Sequence, residues 1–371
     1  MSGGSPNPPG GGGNPSPAPG APPQTAEYLY VGAYPYIDTF QMNTTTGIPG
    51  AAAQLQTHGA ESIVVTNPAQ FLYASEWQNS TSINAFSIGA GGALTILSGS
   101  PYTLPAQNLN SGIAAMALTP DNSTLYVLRS IPAAIVAFHV DSQTGALTLL
   151  SNSISFSQAI DRGELTVDPT GHFLYAALSA TNQSYAAIGV YSIAPDTKAL
   201  SAISSSPYPQ PANAGLSSMV LDPTGRFLYL TNATTGQLLG YTVDATTGGL
   251  TPMPGMPLNT PSVYTSSIAL NPSGNMLYAL GSQEIAIYSI DSSSGVPAMT
   301  LEWTPPANAY CVVAPPIVID PTGFYAYTAN GTGLCIFEII QANGQLTLLT
   351  PSGFNAPNGD GNAKIAIVKA P

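Results

Sequence analysis

The sequence predicts an all-β protein, a seven-bladed β-propeller with four antiparallel strands in each blade. Three observations lead to this prediction. A pattern of about 49 residues recurs seven times between residues 27 and 371, each copy contains four short segments of β type, and helix signals are few. Repeated four-stranded units of this length are typical of propeller blades, which bury their faces against neighbouring units in a ring.

The first half of each repeat combines an apolar run, a turn that contains proline and a strand that contains tyrosine. Clear copies are ELTVDPTGHFLYAA from Glu164 and SMVLDPTGRFLYLT from Ser218. In Asp-Pro-Thr-Gly the aspartate caps the turn, proline presets φ and glycine closes it, so these aspartates are interpreted as turn residues rather than calcium ligands. The tyrosines that align across the repeats are Tyr30, Tyr73, Tyr126, Tyr175, Tyr229, Tyr278 and Tyr327.

The second half of each repeat is a strand, a turn and another strand, as in AFHVDSQTGALTLL and GYTVDATTGGLTPM. The turn contains a glycine, for example Gly145, Gly248 or Gly295, which supplies a positive φ at little steric cost. The two halves together predict the four strands of one blade.

The first and last repeats complete each other. The repeat that begins EYLYVGA at Glu27 has its tyrosine strand but no apolar strand before it. Residues 363–371, AKIAIVKAP, contain the missing strand. The C-terminal strand is therefore predicted to join the first blade and close the ring, which removes the edges that an open sheet would expose.

Residues 1–26 consist mainly of proline, glycine and serine. Such a segment has little apolar surface to bury, so it is predicted to be a disordered linker ahead of a propeller domain at residues 27–371. It is similar to the tether after the lipid-bearing cysteine of bacterial lipoproteins. We therefore expect an exported protein (periplasmic, outer-surface or secreted), tethered by a lipid on a removed N-terminal segment. The alternative is a disordered terminus alone.

The composition excludes some functions. Charged residues make up 6% of the chain, and 18 Asp and Glu against 6 Lys and Arg give a net charge of −12. Nucleic-acid binding needs clustered Lys and Arg, so no nucleic-acid partner is expected. No apolar run approaches the roughly 18 residues that would predict a transmembrane helix. We expect a monomer.

Cysteine and histidine usage argues against a metal site. Cys311 and Cys335 both lie in the last repeat and allow one disulfide, although two unrelated buried thiols are the simpler interpretation. Neither cysteine has a metal-ligand spacing, and the three histidines are scattered. No metal and no cofactor are therefore predicted.

The repeats resemble those of the lactonase-type seven-bladed propellers, the family that contains bacterial 6-phosphogluconolactonase and fungal carboxymuconate-lactonizing enzyme. FLYLTN at 227–232 and YTAN at 327–330 also resemble the related YVTN propeller repeats. The resemblance implies a lactonase-like function, with His, Arg and Glu around one mouth of the central channel. In the family the His commonly lies about five residues before the Asp-Pro turn. The corresponding positions here are Ser62, Ala114, Gly163, Ser217, Ser266 and Pro315.

Polar residues are expected to converge on one mouth of this channel. Strands alternate in direction within a blade, so the start of the first strand and the loop after the second strand share a face. The first-strand starts supply His58, Glu61, Asp161, Arg162 and Glu164. The loops after the second strands supply Glu76, Trp77, Arg129, Asn232 and Asn330.

These residue types suit hydrolysis of an anionic lactone. Glu164 or Glu61 is a candidate general base, and His58 a candidate acid or base. Arg162 and Arg129 suit recognition of a carboxylate or phosphate. The predicted catalytic residues are Glu164, His58 and Arg162. The predicted substrate-binding residues are Arg129, Glu61, Glu76, Asp161, Asn232 and Asn330.

Three functional hypotheses remain open at this point. The first is a hydrolase of a small sugar-acid or aromatic-acid lactone. The second is a non-catalytic, exported or surface-tethered propeller that binds a ligand, a glycan or a protein. The third is a scaffold without a channel ligand, in which Asp161, Arg162 and Glu164 neutralise one another as ordinary surface pairs.

Overall fold

The structure is a seven-bladed β-propeller. It is a computed structural model that describes residues 27–33, 35–57, 60–76, 81–105, 112–160, 162–180, 185–211, 213–262, 264–282, 284–305, 315–330, 333–349 and 363–370. Its strands form seven antiparallel sheets, one for each blade, and the only helical element described is the short 3-10 turn Ala90–Gly92. The predicted fold class is confirmed.

The blades follow the chain in order, with the innermost strand given first. Blade 1 contains β31 (Lys364–Lys369), β1 (Glu27–Ala33), β2 (Tyr36–Met42) and β3 (Ala53–Gln56). Blade 2 contains β4 (Ile63–Val65), β5 (Phe71–Ser75), β6 (Ser82–Ile88) and β7 (Leu94–Ile96), with β8 (Tyr102–Thr103) beside β6. Blade 3 contains β9 (Ile113–Leu118), β10 (Thr124–Arg129), β11 (Ala134–Val140) and β12 (Leu147–Ser155). Blade 4 contains β13 (Arg162–Val167), β14 (Phe173–Ser179), β15 (Ala186–Ile193) and β16 (Leu200–Ala202), with β17 (Tyr208–Pro209) beside β15.

The remaining blades repeat this order. Blade 5 contains β18 (Leu216–Leu221), β19 (Phe227–Asn232), β20 (Gln237–Val243) and β21 (Leu250–Pro252), with β22 (Leu258–Asn259) beside β20. Blade 6 contains β23 (Ser267–Leu270), β24 (Met276–Leu280), β25 (Ile285–Ile290) and β26 (Pro297–Trp303). Blade 7 contains β27 (Ile317–Ile319), β28 (Tyr325–Asn330), β29 (Gly333–Ile339) and β30 (Leu346–Leu348). Blades 2, 4 and 5 thus carry a short fifth strand that the four-strand prediction did not include.

The core lies between the blades. Every residue of the second strands β5, β14 and β19 is buried, because each sheet is covered on both faces by its neighbours. The innermost strands are only partly buried, as in β18, since one side of them lines the channel. This gradient leaves the starts of the innermost strands free to build a site.

The proline-containing turns have the predicted structural role. Asp168 accepts hydrogen bonds from the main-chain N–H of Phe173 at 2.6 Å and of Thr170 at 3.1 Å. Gly171 closes the turn with φ 75°. Asp222 and Asp320 make the equivalent contacts in blades 5 and 7.

Ring closure follows the prediction. Strand β31 pairs antiparallel with β1, with Lys364 opposite Gly32 and Lys369 opposite Glu27. Blade 1 is therefore assembled from both ends of the described chain. Residues 1–26, predicted to be a linker, lie outside the described residues.

Two smaller features complete the fold. Cys335 takes part in a disulfide, which overturns the simpler interpretation of two unrelated thiols for this residue, while Cys311 lies outside the described residues. Within the part of the chain that the structure describes, no helix has the length and apolar character needed to cross a membrane.

The seven aligned tyrosines share one contact that the sequence did not predict. Each is buried and donates its hydroxyl hydrogen bond to the carbonyl of a turn residue in the next blade, and each acceptor residue has a positive φ. The pairs are Tyr30 with Gly92 (3.1 Å), Tyr73 with Gly145 (2.8 Å), Tyr126 with Lys198 (2.8 Å), Tyr175 with Gly248 (3.4 Å), Tyr229 with Gly295 (2.5 Å), Tyr278 with Gly344 (3.0 Å) and Tyr327 with Gly47 (3.2 Å).

Removing one of these hydroxyls is expected to destabilise the ring. Tyr229→Phe leaves the packing of the aromatic side chain intact but deprives the Gly295 carbonyl of its hydrogen-bond donor. We expect the free energy of unfolding to fall by about 1 to 2 kcal/mol. Urea unfolding measures this loss. Tyr264→Phe is the control, because Tyr264 is 64% exposed and should change stability little. Equal stability of wild type and Tyr229→Phe would contradict the assigned role.

The turn residue that accepts this bond is glycine in six of the seven blades. A Cβ on Gly248 would lie 2.5 Å from Cδ1 of Phe173, and one on Gly295 would lie 2.3 Å from Cδ1 of Phe227. Blade 4 instead has Lys198, with φ 55°. In blade 3, which packs against that turn, Thr124 occupies the position of Phe173, so a smaller side chain faces the larger turn residue.

The junction of blades 1 and 7 contains a buried acid. Glu27 is 2% exposed, and its Oε1 has no hydrogen-bond partner within the described structure. Burial raises the pKa of Glu27 to about 7; Asp320 raises the pKa further, whereas Lys369 on the paired strand lowers it. Since the folded pKa exceeds the ordinary value, the carboxyl destabilises the fold increasingly as pH rises from about 4.5 to about 7.

Glu27→Gln is expected to remove this pH dependence. At pH 8 the variant should be more stable than wild type by about 2 kcal/mol, and at pH 5 the two should differ much less. Urea unfolding at both pH values measures the effect, with the exposed Glu302→Gln as the control. A stability difference that does not change between pH 5 and pH 8 would rule out titration of Glu27 as its cause.

Candidate active site

A cavity of about 440 Å³ lies at one mouth of the central channel. Every blade contributes two consecutive residues at the start of its innermost strand to its wall. These residues form two rings, and Ile63, Arg162 and Ile365 complete the lining. The volume falls within the range of small-molecule sites.

The deeper ring is defined by strand register. Glu164 pairs with Ala177, two residues after the aligned tyrosine of blade 4, and Lys364 pairs with Gly32, two residues after the tyrosine of blade 1. The equivalent residues of blades 1 to 7 are Lys364, Ser62, Ala115, Glu164, Ser218, Ser267 and Pro316. The residues just before them form the outer ring: Ala363, Glu61, Ala114, Gly163, Ser217, Ser266 and Pro315.

Glu164 is the acid at the centre of the site. Burial raises its pKa to about 7, and the charge of Lys364 opposes that shift. Among the described residues, none forms a hydrogen bond or an ion pair with this carboxyl group, and Lys364 acts on it through its charge alone. A carboxyl group with a pKa near neutrality is well suited to accept and return a proton.

Arg162 and Lys364 supply two cations. Arg162 lies two residues before Glu164 on β13, so both side chains leave the same face of the strand, roughly 7 Å apart along it. Lys364 lies in blade 1, three blades away from Glu164, which is the largest separation a seven-membered ring allows. An anionic ligand between blades 1 and 4 would therefore meet both cations.

Sequence reasoning missed Lys364, although a signal was present. AKIAIV from Ala363 aligns with GELTVD from Gly163, which places Lys364 at the position of Glu164. Glu61, which was predicted, lines the cavity from blade 2, and its Oε2 lies 3.7 Å from the position a Cβ would occupy on Gly112.

Three of the predicted residues at the ends of the second strands, Arg129, Asn232 and Glu76, do not line the cavity. Arg129 donates hydrogen bonds to the carbonyls of Pro132 (2.8 Å) and Pro105. Asn232 accepts hydrogen bonds from the main-chain N–H of Gly215 and Thr234. Glu76 accepts one from Asn84 at 3.4 Å. The expected convergence of strand starts and second-strand ends is therefore not observed for Arg129, Asn232 and Glu76.

Some predicted positions fall outside the description. His58, Trp77 and Asp161 are not among the described residues, and only the backbone of Asn330, at the end of β28, is described. The structure thus brings together Glu61, Arg162 and Glu164 of the predicted set and adds Lys364. In the portion of the chain described, no group of three or more His, Cys, Asp or Glu is placed to hold a metal ion.

Comparison with known families and structures agrees with this architecture. The model of the family "Lactonase, 7-bladed beta-propeller" matches residues 97–212 and 202–314, which together make up more than half of the chain. Comparison with curated protein sequences finds no match.

Several solved structures are similar over nearly the whole chain. A candidate 6-phosphogluconolactonase from Bacteroides uniformis is 18% identical, with a TM-score of 0.75 over 93% of this chain and 100% of its own. A candidate 6-phosphogluconolactonase from Bacteroides fragilis is 20% identical, with a TM-score of 0.73 over 95% and 100%. The periplasmic gluconolactonase of Pseudomonas aeruginosa is 16% identical, with a TM-score of 0.75 over 94% and 100%. At these identities the likeness concerns the fold.

Proposed function

Because the chain belongs to the lactonase seven-bladed β-propeller family, we propose that it hydrolyses a small sugar-acid or aromatic-acid lactone at the channel mouth. The observation that carries this proposal is Glu164. Its side chain lies in a cavity of ligand size together with Arg162 and Lys364, and burial raises its pKa to about 7. A proton-accepting carboxyl beside cations is the set that hydrolysis of an anionic lactone needs.

The proposed reaction uses Glu164 twice. The carboxylate accepts a proton from water while the water oxygen bonds to the lactone carbonyl carbon and the carbonyl π electrons move to oxygen. The tetrahedral species then collapses, the bond from the carbonyl carbon to the ring oxygen breaks, and Glu164 returns the proton to that oxygen. Lactone and water become one hydroxy acid. Arg162 and Lys364 hold the anionic group of the substrate.

The test is a pH-stat hydrolysis screen over sugar-acid and aromatic-acid lactones. Wild type is run beside Arg162→Ala and Glu164→Ala, with the exposed Glu302→Ala as the control. Acid release that both site substitutions abolish and the control retains would support a lactonase with its site at this mouth. No release above the uncatalysed rate across the panel would contradict the proposal for these substrates.

Lys364→Gln is expected to shift the pH dependence of hydrolysis. The positive charge lowers the pKa of Glu164, so its removal should move the acidic limb of the kcat/KM profile to higher pH. KM for an anionic lactone should also rise. Lys369→Gln, on the same strand but outside the cavity, is the matched control. If the acidic limb of the kcat/KM profile of Lys364→Gln lies at the same pH as that of wild type, Lys364 does not influence the pKa of the general base.

A second candidate function is a binding propeller without catalysis. It is favoured by the residues at Ser62, Ala114, Gly163, Ser217, Ser266 and Pro315, all of which line the cavity and none of which is histidine. Such a protein would bind the ligands of the screen and hydrolyse none of them. Calorimetric titration with the corresponding hydroxy acids distinguishes the two functions.

The proposal includes export. The Cys335 disulfide supports it, because structural disulfides persist mainly in oxidising compartments. Cell fractionation of the producing organism tests the location, and recovery of the protein only from the reducing cytosol would contradict it.

A further inference from the structure

The deeper ring of the cavity contains two serines beside Glu164. Ser218 belongs to blade 5 and Ser267 to blade 6, so acid, hydroxyl and hydroxyl follow one another around consecutive blades. Blades 3 and 7 instead contribute only Ala and Pro to both rings. The deeper ring has one further hydroxyl, Ser62 of blade 2, and Ala115 of blade 3 separates it from Glu164. Ser218 and Ser267 are therefore the two hydroxyls that follow Glu164 in consecutive blades.

Both serine oxygens are held in place by the backbone. Ser218 Oγ accepts the main-chain N–H of Ile268 at 3.1 Å, and Ser267 Oγ accepts that of Ile317 at 3.1 Å. Each bond links an innermost strand to the innermost strand of the next blade. Since Ile268 directly follows Ser267, Ser218 Oγ lies against the peptide that joins those two residues.

When the oxygen of a serine accepts a hydrogen bond from an N–H group, the hydroxyl hydrogen remains available to be donated to another acceptor. No acceptor for the hydrogen of Ser218 or Ser267 is present within the described structure. Ser267 is only 5% exposed, yet it lines the cavity. A buried hydroxyl without a protein acceptor needs a partner from the cavity, either solvent or ligand.

We propose that Ser218 and Ser267 form a pair of fixed hydrogen-bond donors that bind the carbonyl oxygen of the ligand. The inference rests on the proposed function, and it assigns the pair to the oxygen that gains negative charge during lactone hydrolysis. Donors whose positions are set before the reaction stabilise such charge with little reorganisation. Glu164, in the adjacent blade, accepts the proton of the attacking water.

The donor pair can be tested by binding, without turnover. The six-membered lactam of gluconic acid carries the carbonyl oxygen but resists hydrolysis, and anhydroglucitol is the corresponding ring without a carbonyl. Calorimetric titration should show that wild type binds the lactam about 10-fold more tightly than the cyclic ether. Ser218→Ala and Ser267→Ala should each reduce that preference about 3- to 10-fold.

Two further variants separate donation from structural support. Ser218→Thr keeps the hydroxyl and should retain the preference, whereas Ser289→Ala removes a serine outside the cavity and should behave as wild type. Urea unfolding of each variant establishes that the binding measurements concern folded protein. A preference that survives in both alanine variants would overturn the proposal. So would a wild type that does not bind the lactam at millimolar concentration or does not prefer it to the ether.

The outcome is independent of the lactone screen. Loss of lactam preference in the alanine variants, together with no lactone hydrolysis by wild type, would establish the donor pair and reject the hydrolase. Hydrolysis by wild type with unaltered lactam preference in both alanine variants would establish the hydrolase and reject the donor pair.

Discussion

Glu164→Gln is expected to lower kcat/KM for the best lactone of the screen by about 10²- to 10⁴-fold, the range typical of a lost general base. Glutamine has nearly the shape of glutamate but cannot accept the proton of the attacking water. The carboxyl group has no hydrogen-bond partner in the described structure, so the substitution breaks no observed contact. Binding of the unreactive lactam should remain within a few-fold of wild type.

The pH dependence of wild type provides an independent check on the same residue. Burial raises the pKa of Glu164 to about 7, and the reactive form is the carboxylate. Hydrolysis should therefore fall as pH drops through about 7. The residual activity of Glu164→Gln should lack this limb, and the exposed Glu302→Gln should keep both the rate and the limb. Full activity of Glu164→Gln, or a wild-type rate that stays constant between pH 5 and pH 8, would refute the assignment.

Gly248→Ala is expected to cause the largest loss of stability among these substitutions, about 3 kcal/mol. The residue has φ 72°, which alone costs an alanine roughly 1 to 2 kcal/mol. Its new Cβ would also lie 2.5 Å from Phe173, so a packed aromatic ring of the preceding blade must move, at a further cost of about 1 to 3 kcal/mol. Urea unfolding measures the total.

Gly255→Ala separates the two costs. Gly255 lies in the same blade with φ 79°, and nothing lies within 4 Å of the position its Cβ would occupy. It should show the backbone cost alone, and the excess in Gly248→Ala then reports the contact with Phe173. Phe173→Thr copies the arrangement of blade 3 and should reduce the effect of Gly248→Ala in a double-mutant cycle. Equal losses for Gly248→Ala and Gly255→Ala would show that the ring accommodates the methyl group.

The fold was predictable because its signals are local and repeated. A turn such as Asp-Pro-Thr-Gly is determined by four adjacent residues, and the regular spacing of the tyrosines indicated the number of blades. The interlocking of neighbouring blades was not predictable in the same way. The hydrogen bond from Tyr229 to Gly295 joins residues about 70 positions apart. The same holds for the packed pair Phe173 and Gly248, whose positions are taken by Thr124 and Lys198 at the junction of blades 3 and 4.

The lining of the candidate site was predictable in part for a related reason. Glu61, Arg162 and Glu164 were predicted because they lie at or near the starts of innermost strands, a position that a repeat alignment identifies directly. Arg129 and Asn232 were included on the direction of their strands alone. Their side chains instead contact nearby backbone groups, which strand direction does not indicate. Ser218 and Ser267 carry no charge and looked like ordinary small residues until the register placed them beside Glu164.

The pairing of β1 with β31 also sets the order in which the molecule can become functional. The two strands are about 340 residues apart, so during synthesis at roughly 5 to 20 residues per second the first strand waits on the order of 20 to 70 s for its partner. That partner carries Lys364, which faces Glu164 across the cavity. The last strand therefore completes the ring of blades and brings Lys364 into the cavity in the same step. A chain released before its last strand is made would contain Glu164 without the positive charge that lowers its pKa.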